Sequence, residues 1–319
     1  MEEKIIGIFK KNHLDYVSGE QISHNLNMSR AAVWKHIEKL RQMGYEIDAV
    51  PHLGYRLVKT PDKLYPFEII PSLKTSFIGR RILYYNELDS TNTTACELAK
   101  KTKGEGAVVL AEKQNKGRGR LSRSWVSPTG KGIYMSVVLK PDMPVCQAPL
   151  ITLMAAVSLA QAIRDACNVQ AYIKWPNDII IKGGKVAGIL TEMEAEPDRI
   201  KFIVIGIGIN VNTALTQLPR GAVSISHVLG EPVSRQALLT VVLEKLENNY
   251  ILINKSGFSG LRLAWKNMST TIGKKVRASC MRKVIEGIAY DIDTDGALNI
   301  QTNDGQIEKV TAGDLVELR

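Results

Sequence analysis

Thirteen residues, Lys113–Trp125, concentrate the groups in this chain best suited to hold an anion. Lys116, Arg118, Arg120 and Arg123 are interleaved with Gly117 and Gly119, and Trp125 closes the run. Guanidinium forks match carboxylate or phosphate oxygens two at a time, and glycine lets backbone N–H groups approach an anion closely. A solvated basic loop or a nucleic-acid contact has the same composition, so the segment alone leaves these readings open. Three further clusters carry chemistry-bearing side chains. Lys174-Trp-Pro-Asn-Asp178 sets a cation, an amide and an acid round a proline-fixed turn, which also describes a structural turn. Lys185 starts the apolar run Lys185–Leu190, either as a reactive cation or as a hairpin lysine whose stem snorkels. Asn210 ends Gly206-Ile-Gly-Ile-Asn210, where an amide serves a ligand or caps a turn. Common nucleotide and metal signatures are missing. No Gly-x-x-x-x-Gly-Lys-Ser/Thr run occurs, both Gly-x-Gly pairs lack the third glycine of the dinucleotide fingerprint, and there is no His-Glu-x-x-His helix.

These groups need a frame. Ala107–Ala111 is an apolar, β-branched run that reads as a buried strand feeding the basic loop. Around it, Ile82–Glu87, Gly132–Leu139, Ala171–Lys174 and Ile200–Ile209 read as strands. Ile179–Ile181 and Lys185–Met193 pair across Gly183-Gly184, a hairpin signal. Asp89-Ser-Thr-Asn92 offers N-caps for a helix over Thr94–Lys101, and Ala148–Ala166 is a long apolar helix. The pattern predicts an α+β body with a mixed sheet and helices on one face. Behind it, Ile272–Arg277, Val284–Asp291, Leu298–Thr302, Lys309–Val310 and Val316–Leu318 form short strands. Asp295-Gly and Asp304-Gly punctuate them, predicting a small barrel-like β domain.

Ahead of the body, Lys4–Asn12 carries an amphipathic pattern, and Ser18-Gly-Glu-Gln21 has the form of a capping box. Ile22 and Leu26 share one face of the helix it starts. Ser29 can cap a longer helix with Val33, Ile37 and Leu40 at helical spacing and Gly44 as its stop. Two helices across a short turn, over about residues 18–41, make a helix-turn-helix. Tyr45–Ile47 and Gly54–Leu57 add a wing. The second helix sets Arg30, Lys35, His36, Lys39 and Arg41 against the single acid Glu38. Ser29, Arg30, Lys35 and His36 near its amino end are the candidate DNA contacts, with a basic protein-interaction module as the alternative. Pro61, Pro66 and Pro71 mark a linker.

The 319 residues suffice for two or three domains, and the net charge of +10 favours an anionic partner. The excess sits mainly in the body, because residues 1–60 hold nine Lys/Arg against seven Asp/Glu and residues 270–319 hold seven against eight. Cys96, Cys146, Cys167 and Cys280 are scattered, which argues against a disulfide framework or thiolate zinc site and for a reducing cytoplasm. The amino terminus has no apolar signal core, and no apolar stretch is expected to reach the ~20 residues that span a bilayer.

Asp89-Ser-Thr-Asn92, Gly117-Arg-Gly-Arg120 with Arg123 and Trp125, Lys174–Asp178, Lys185–Leu190 and Gly206–Asn210 occur in that order behind a winged helix. The chain thereby resembles, over essentially its whole length, the bifunctional biotin–protein ligase and biotin operon repressor family. The resemblance implies a winged helix-turn-helix over 1–60, a linker over 61–77, a mixed-sheet α+β ligase domain over 78–269 and an SH3-like β domain over 270–319. It implies that biotin and Mg·ATP give biotinoyl-5′-AMP, which then passes biotin to a lysine of a biotin carboxyl carrier domain. By resemblance, Ser90, Thr91, Asn92 and Gln114 line the biotin site. Arg118, Gly119 and Arg120 close over the carboxylate and α-phosphate, with Arg123 and Trp125 nearby. Lys185 bridges the reacting oxygens, Asn177 and Asn210 serve the adenylate, and Asp178 places Mg²⁺ or orients Lys185. The same resemblance implies a loop that orders over the adenylate, an adenylate-favoured homodimer and an operator as partner. A non-catalytic ligand-sensing repressor and a lipoate or octanoate transferase are the alternatives.

Overall fold

The computed structural model describes residues 1–12, 15–101, 104–280, 283–311 and 313–318. It divides into two units, Met1–Lys63 and Leu64–Arg319.

Capping hydroxyls start two of the helices of the first unit. Its helices are α1 (Glu2–Lys11), α2 (Gly19–Leu26) and α3 (Arg30–Gln42). Ser18 Oγ accepts from Gln21 N at 3.0 Å and Ser29 Oγ from Ala32 N at 3.2 Å, satisfying N–H groups that no helical carbonyl reaches. Gly44 at φ +99° turns the chain out of α3, a conformation costly for any residue with a Cβ. Ile5, Phe9, Ile22, Val33, Ile37 and Leu40 are buried between the helices. Strands β1 (Glu46–Val50) and β2 (Gly54–Lys59) pair antiparallel as the wing. The expected five-cation face of α3 is divided. Arg30 and Lys35 are exposed. His36 Nδ1 lies 3.1 Å and Lys39 Nζ 2.7 Å from Glu2 Oε1, while Arg41 binds Glu38 and donates to Ile47 O.

The expected linker over 61–77 is corrected by burial. From Leu64 onward it belongs to the second unit, where Leu64, Tyr65, Ile69 and Leu73 are buried and Pro66–Ile69 forms α4. Glu247 holds this stretch by accepting from the N–H groups of Ser76, Phe77 and Ile78.

The body has strands β3 (Ile82–Tyr85), β4 (Val108–Ala111), β5 (Gly132–Leu139), β6 (Tyr172–Lys174), β7 (Asp178–Ile181), β8 (Gly184–Ala195) and β9 (Ile200–Asn210). They form one sheet in the order β3-β4-β5-β9-β8-β7-β6, with only β3 and β4 parallel. The body's helices are α5 (Thr91–Lys101), α6 (Ala148–Cys167), α7 (Ile225–Leu229), α8 (Arg235–Ser256) and α9 (Ser259–Met268). The expectation of helices on one face does not hold. Alternate residues of β4 and β5 face opposite ways: Val108, Leu110, Met135 and Val137 meet the α6, α8 and α9 core. Val109 and Val138 meet Ala95 and Ala99 of α5 on the other side.

Nor does the expectation about apolar length. Val145–Cys167 is 23 residues long and apolar enough to cross a bilayer by length and composition. In this fold 72% of its apolar window is buried, because α6 is the central core helix. Helix α8 packs along it and brings Arg235 to Glu112, both fully buried, at 2.8 Å. Glu112 also accepts from Leu64 N. Burial, and then the charge of Glu112, push the Tyr84 hydroxyl well above its ordinary value.

The remaining strands, β10 (Lys275–Cys280), β11 (Lys283–Ile292), β12 (Leu298–Gln301), β13 (Ile307–Val310) and β14 (Asp314–Glu317), make an antiparallel sheet ordered β13-β12-β11-β10-β14. Gly296 and Gly305 take positive φ at its Asp-Gly turns. Cys96, Cys146 and Cys167 are free thiols; the Cys280 side chain lies outside the described residues.

The Glu2 cluster has a pH signature. Burial by itself would raise the Glu2 carboxyl, but hydrogen bonds from Lys39, its own backbone and His36 outweigh it and bring it from 4.5 down to about 2. Folding thus favours the ionised form, and this stabilisation is complete above pH 4.5 and lost as pH falls through 2. Glu2→Gln is expected to weaken α1–α3 by about 1 kcal/mol at pH 7, shrinking toward pH 3. Hydrogen exchange of the α1 and α3 amides reads it; an equal penalty at both pH values would count against the ion pairs.

Candidate active site

Between the basic loop, the β7–β8 hairpin and the ends of α5 and β9 lies a cavity of about 330 Å³. Its wall includes Ser90, Thr91, Asn92, Gln114, Arg118, Gly119, Arg120, Arg123, Trp125, Asn177, Asp178, Lys185 and Asn210. Residues from five separated motifs are therefore neighbours. Ser29, Arg30, Lys35 and His36 belong to the other unit.

One end of the cavity carries hydrogen-bonded amides. Thr91 N donates to Gln114 Oε1 at 2.9 Å, and Gln114 Nε2 donates to Ser127 Oγ at 3.1 Å, which fixes the Gln114 amide. Ser136, a hydroxyl buried at the centre of β5, donates to Asn92 Oδ1 at 2.6 Å and lies 2.8 Å from Thr91 Oγ1. Asn92 Nδ2 donates to Leu190 O and to Glu192 Oε2. Each amide is thus held in one orientation before any ligand arrives.

The cations begin at that same end and continue across the cavity. Arg118 lies 3.0 Å from Glu192 Oε1. Arg120 reaches across the cavity, donating to Asn177 Oδ1 at 3.1 Å and Gly313 O at 2.7 Å. Asn177 Nδ2 is tied to Ile189 O. Lys185 Nζ stands 2.6 Å from Asp178 Oδ1, off the direction of a hydrogen bond, so the contact is an ion pair. Nζ also lies 5.5 Å from the centre of the Trp125 ring. Of the two roles expected of Asp178, the geometry forms the Lys185 contact. Among the described residues no cluster of three His, Cys, Asp or Glu side chains gathers as a metal site.

The glycines of the motifs have a steric reason. A methyl group on Gly206 would overlap Asn92 Oδ1, and one on Gly208 would overlap the Trp125 indole. At Gly188 it would lie 3.0 Å from Trp125 Cζ3. Gly206 and Gly208, rejected as a dinucleotide fingerprint, are the bare floor on which two site side chains lie. The basic loop itself folds back, with Gly119 N bonded to Arg123 O and Trp125 N to Gly117 O. Leu121 and Ser122 at its tip hold φ of 53° and 57°, which non-glycine residues adopt only when neighbours hold them there.

Several wall residues had no signal in the sequence. Leu218, Pro219 and Ala222 come from a loop clasped to Lys185 by backbone bonds, Lys185 N to Gly221 O and Val223 N to Lys185 O. Leu315 and Val316 come from β14. Ser136 and Glu192 act from behind the wall, and a lone hydroxyl in the apolar run of β5 was the one available cue.

Fold and cavity define a class: a winged helix-turn-helix chain that carries a mixed-sheet body with a cavity lined by cations and amides. Residues 84–210 match the biotin/lipoate A/B protein ligase family, residues 2–56 a helix-turn-helix domain and residues 271–316 the biotin protein ligase C-terminal domain. The chain is 43% identical to the bifunctional ligase/repressor BirA of Bacillus subtilis (strain 168), over 99% of its length and 98% of the relative's. It is 30% identical to the protein of that name from Escherichia coli (strain K12), covering 94% and 92%. The biotin protein ligase from Aquifex aeolicus in complex with biotin and ATP superposes at a TM-score of 0.65 with 26% identity, over 75% of this chain and 99% of that one. The chain belongs to the bifunctional ligase/repressor family.

Gly206→Ala and Gly208→Ala should leave the sheet folded, displace Asn92 and Trp125, and lower ligase turnover by about a hundredfold each. Circular dichroism and a pyrophosphate-release assay check this; wild-type turnover would show that neither side chain needs its glycine.

Proposed function

We propose that this chain is a cytoplasmic ATP-dependent biotin–protein ligase that also represses transcription at an operator. In the first step the biotin carboxylate attacks the α-phosphorus of ATP, forming the C–O–P anhydride of biotinoyl-5′-AMP as the bond to pyrophosphate breaks. In the second an acceptor lysine amine of a biotin carboxyl carrier domain attacks the carbonyl, forming an amide, and AMP leaves. The carrying observation is a cavity whose wall sets the fixed neutral amides of Asn92 and Gln114 beside the cations Arg118, Arg120, Arg123, Lys174 and Lys185. Joining a carboxylate to a triphosphate brings two anions together, and preorganised cations lower that barrier.

In this reading Ser90, Thr91, Asn92 and Gln114 bind the ureido ring, and Arg118 and Gly119 meet the carboxylate. Arg120, Asn177, Asn210, Arg123 and Trp125 serve the adenylate. Lys185 exchanges its Asp178 partner for the reacting oxygens and is the main catalytic cation. Mg²⁺ brought with the nucleotide would offset phosphate charge, and Asp178 is the acid that would hold it. Because a mixed anhydride hydrolyses readily, the basic loop excludes water by closing over it.

Arg30 and Lys35, exposed at the amino end of α3, are the proposed operator contacts with Ser29, and His36 contributes where Glu2 releases it. The homodimer favoured by the adenylate has a candidate surface: Thr191–Ala195 of β8 pair with β9 on one side and, among the described residues, with no strand on the other.

Lys185→Ala is expected to lower biotin- and ATP-dependent pyrophosphate release at least about a hundredfold while biotin affinity stays within about threefold. Calorimetry with biotin and the release assay separate the two, and wild-type turnover would remove Lys185 from the mechanism. Mass gain on a biotin carrier domain, with none on a lipoyl domain, distinguishes the acceptor. Sedimentation at micromolar concentration should move from monomer toward dimer on adding biotin and ATP, and an unchanged monomer would sink the coupling.

A further inference from the structure

Glu192 lies in no motif and outside the cavity wall, yet its carboxylate touches two residues that form that wall. Oε2 accepts from Asn92 Nδ2 at 2.7 Å and lies 3.1 Å from Arg118 NH2, and Oε1 lies 3.0 Å from the same guanidinium. The rest of the Asn92 amide is committed to Leu190 O and Ser136 Oγ. Glu192 therefore completes a closed set of bonds at the amino end of α5 and ties a loop arginine to a rigid strand. The loop needs such ties, because its tip carries two non-glycine residues at positive φ. Arg120 supplies one through Asn177 and Gly313. Arg118 supplies the other through Glu192, with Thr93 Oγ1 a longer contact at 3.4 Å.

We propose that Glu192 is a positioning residue of the ligase, holding Arg118 against the amino end of α5 so that its guanidinium is in place when the biotin carboxylate enters. One nitrogen, NH2, makes the Glu192 contact, and a guanidinium has five N–H donors, so Arg118 can serve both carboxylates. The proposal rests on the reading of Arg118 as the carboxylate clamp.

Glu192→Gln keeps an acceptor for Asn92 and removes the charge that holds Arg118. It should raise KM for biotin about tenfold with kcat within about twofold, because charge-assisted bonds outweigh neutral ones. Without ligand, trypsin should cut after Arg120 about fivefold faster than in the wild type. Glu192→Asp, too short to span both partners, should fall between. In an Arg118→Ala background, Glu192→Gln should add nothing to either readout, since the two act as one unit. Additive effects, or a wild-type KM in Glu192→Gln beside a raised KM in Arg118→Ala, would overturn the positioning role alone. An unchanged KM in Arg118→Ala itself would overturn the clamp reading beneath it.

Discussion

Strand β9 has to be bare where Asn92 and Trp125 lie on it, and the site is arranged around that requirement. Without side chains on Gly206 and Gly208, the Asn92 amide sits against the sheet at one end of the cavity and the Trp125 indole at the other. Asn92 is thereby brought to Ser136 and Leu190, and Trp125 to Gly188 and the Lys185 ammonium. A Cβ at Gly206 would displace the Asn92 amide and one at Gly208 the Trp125 ring, inside a close-packed interior where small volume changes are felt strongly.

The second principle of the site is local neutralisation. Arg118 faces Glu192, and Lys185 faces Asp178. Cations gathered round one cavity would repel each other in a medium less polar than water, and the two acids reduce that cost. An anion entering there would compete with those acids rather than meet bare charge. Further back, the Glu112–Arg235 pair and the three N–H bonds to Glu247 fix the segments from which the basic loop and the first residues of the body depart. Both acids are buried, and they are compensated by a guanidinium or by backbone donors.

Much of this was legible before any fold was drawn. The caps at Ser18 and Ser29, the wing, the strands flanking the basic loop and the Asp-Gly hairpins of the tail all depend on neighbours within a few residues. The chemistry-bearing residues were legible too, because Arg-Gly alternation and a lysine opening an apolar strand are unusual locally. Residues 61–77 read as a linker because proline content does not report that Leu64 and Ile69 find a core. The amphipathic α5 and the apolar α6 likewise gave no sign that they cover opposite faces of one sheet. Helix α8 carries buried charge, Arg235 and Glu247, which blurs its pattern.

The sequence by itself determined the elements, their caps and turns, and the residue types able to hold a carboxylate and a phosphate. Those follow from interactions over a few residues, where the chain supplies its own partners. Only the tertiary structure decided that five motifs spread over more than a hundred residues share one cavity. It alone decided that Gly206 and Gly208 are empty because Asn92 and Trp125 need the space, and that Glu192 stands behind Arg118. Such facts depend on strand order and side-chain packing across the sheet, which no local spacing encodes.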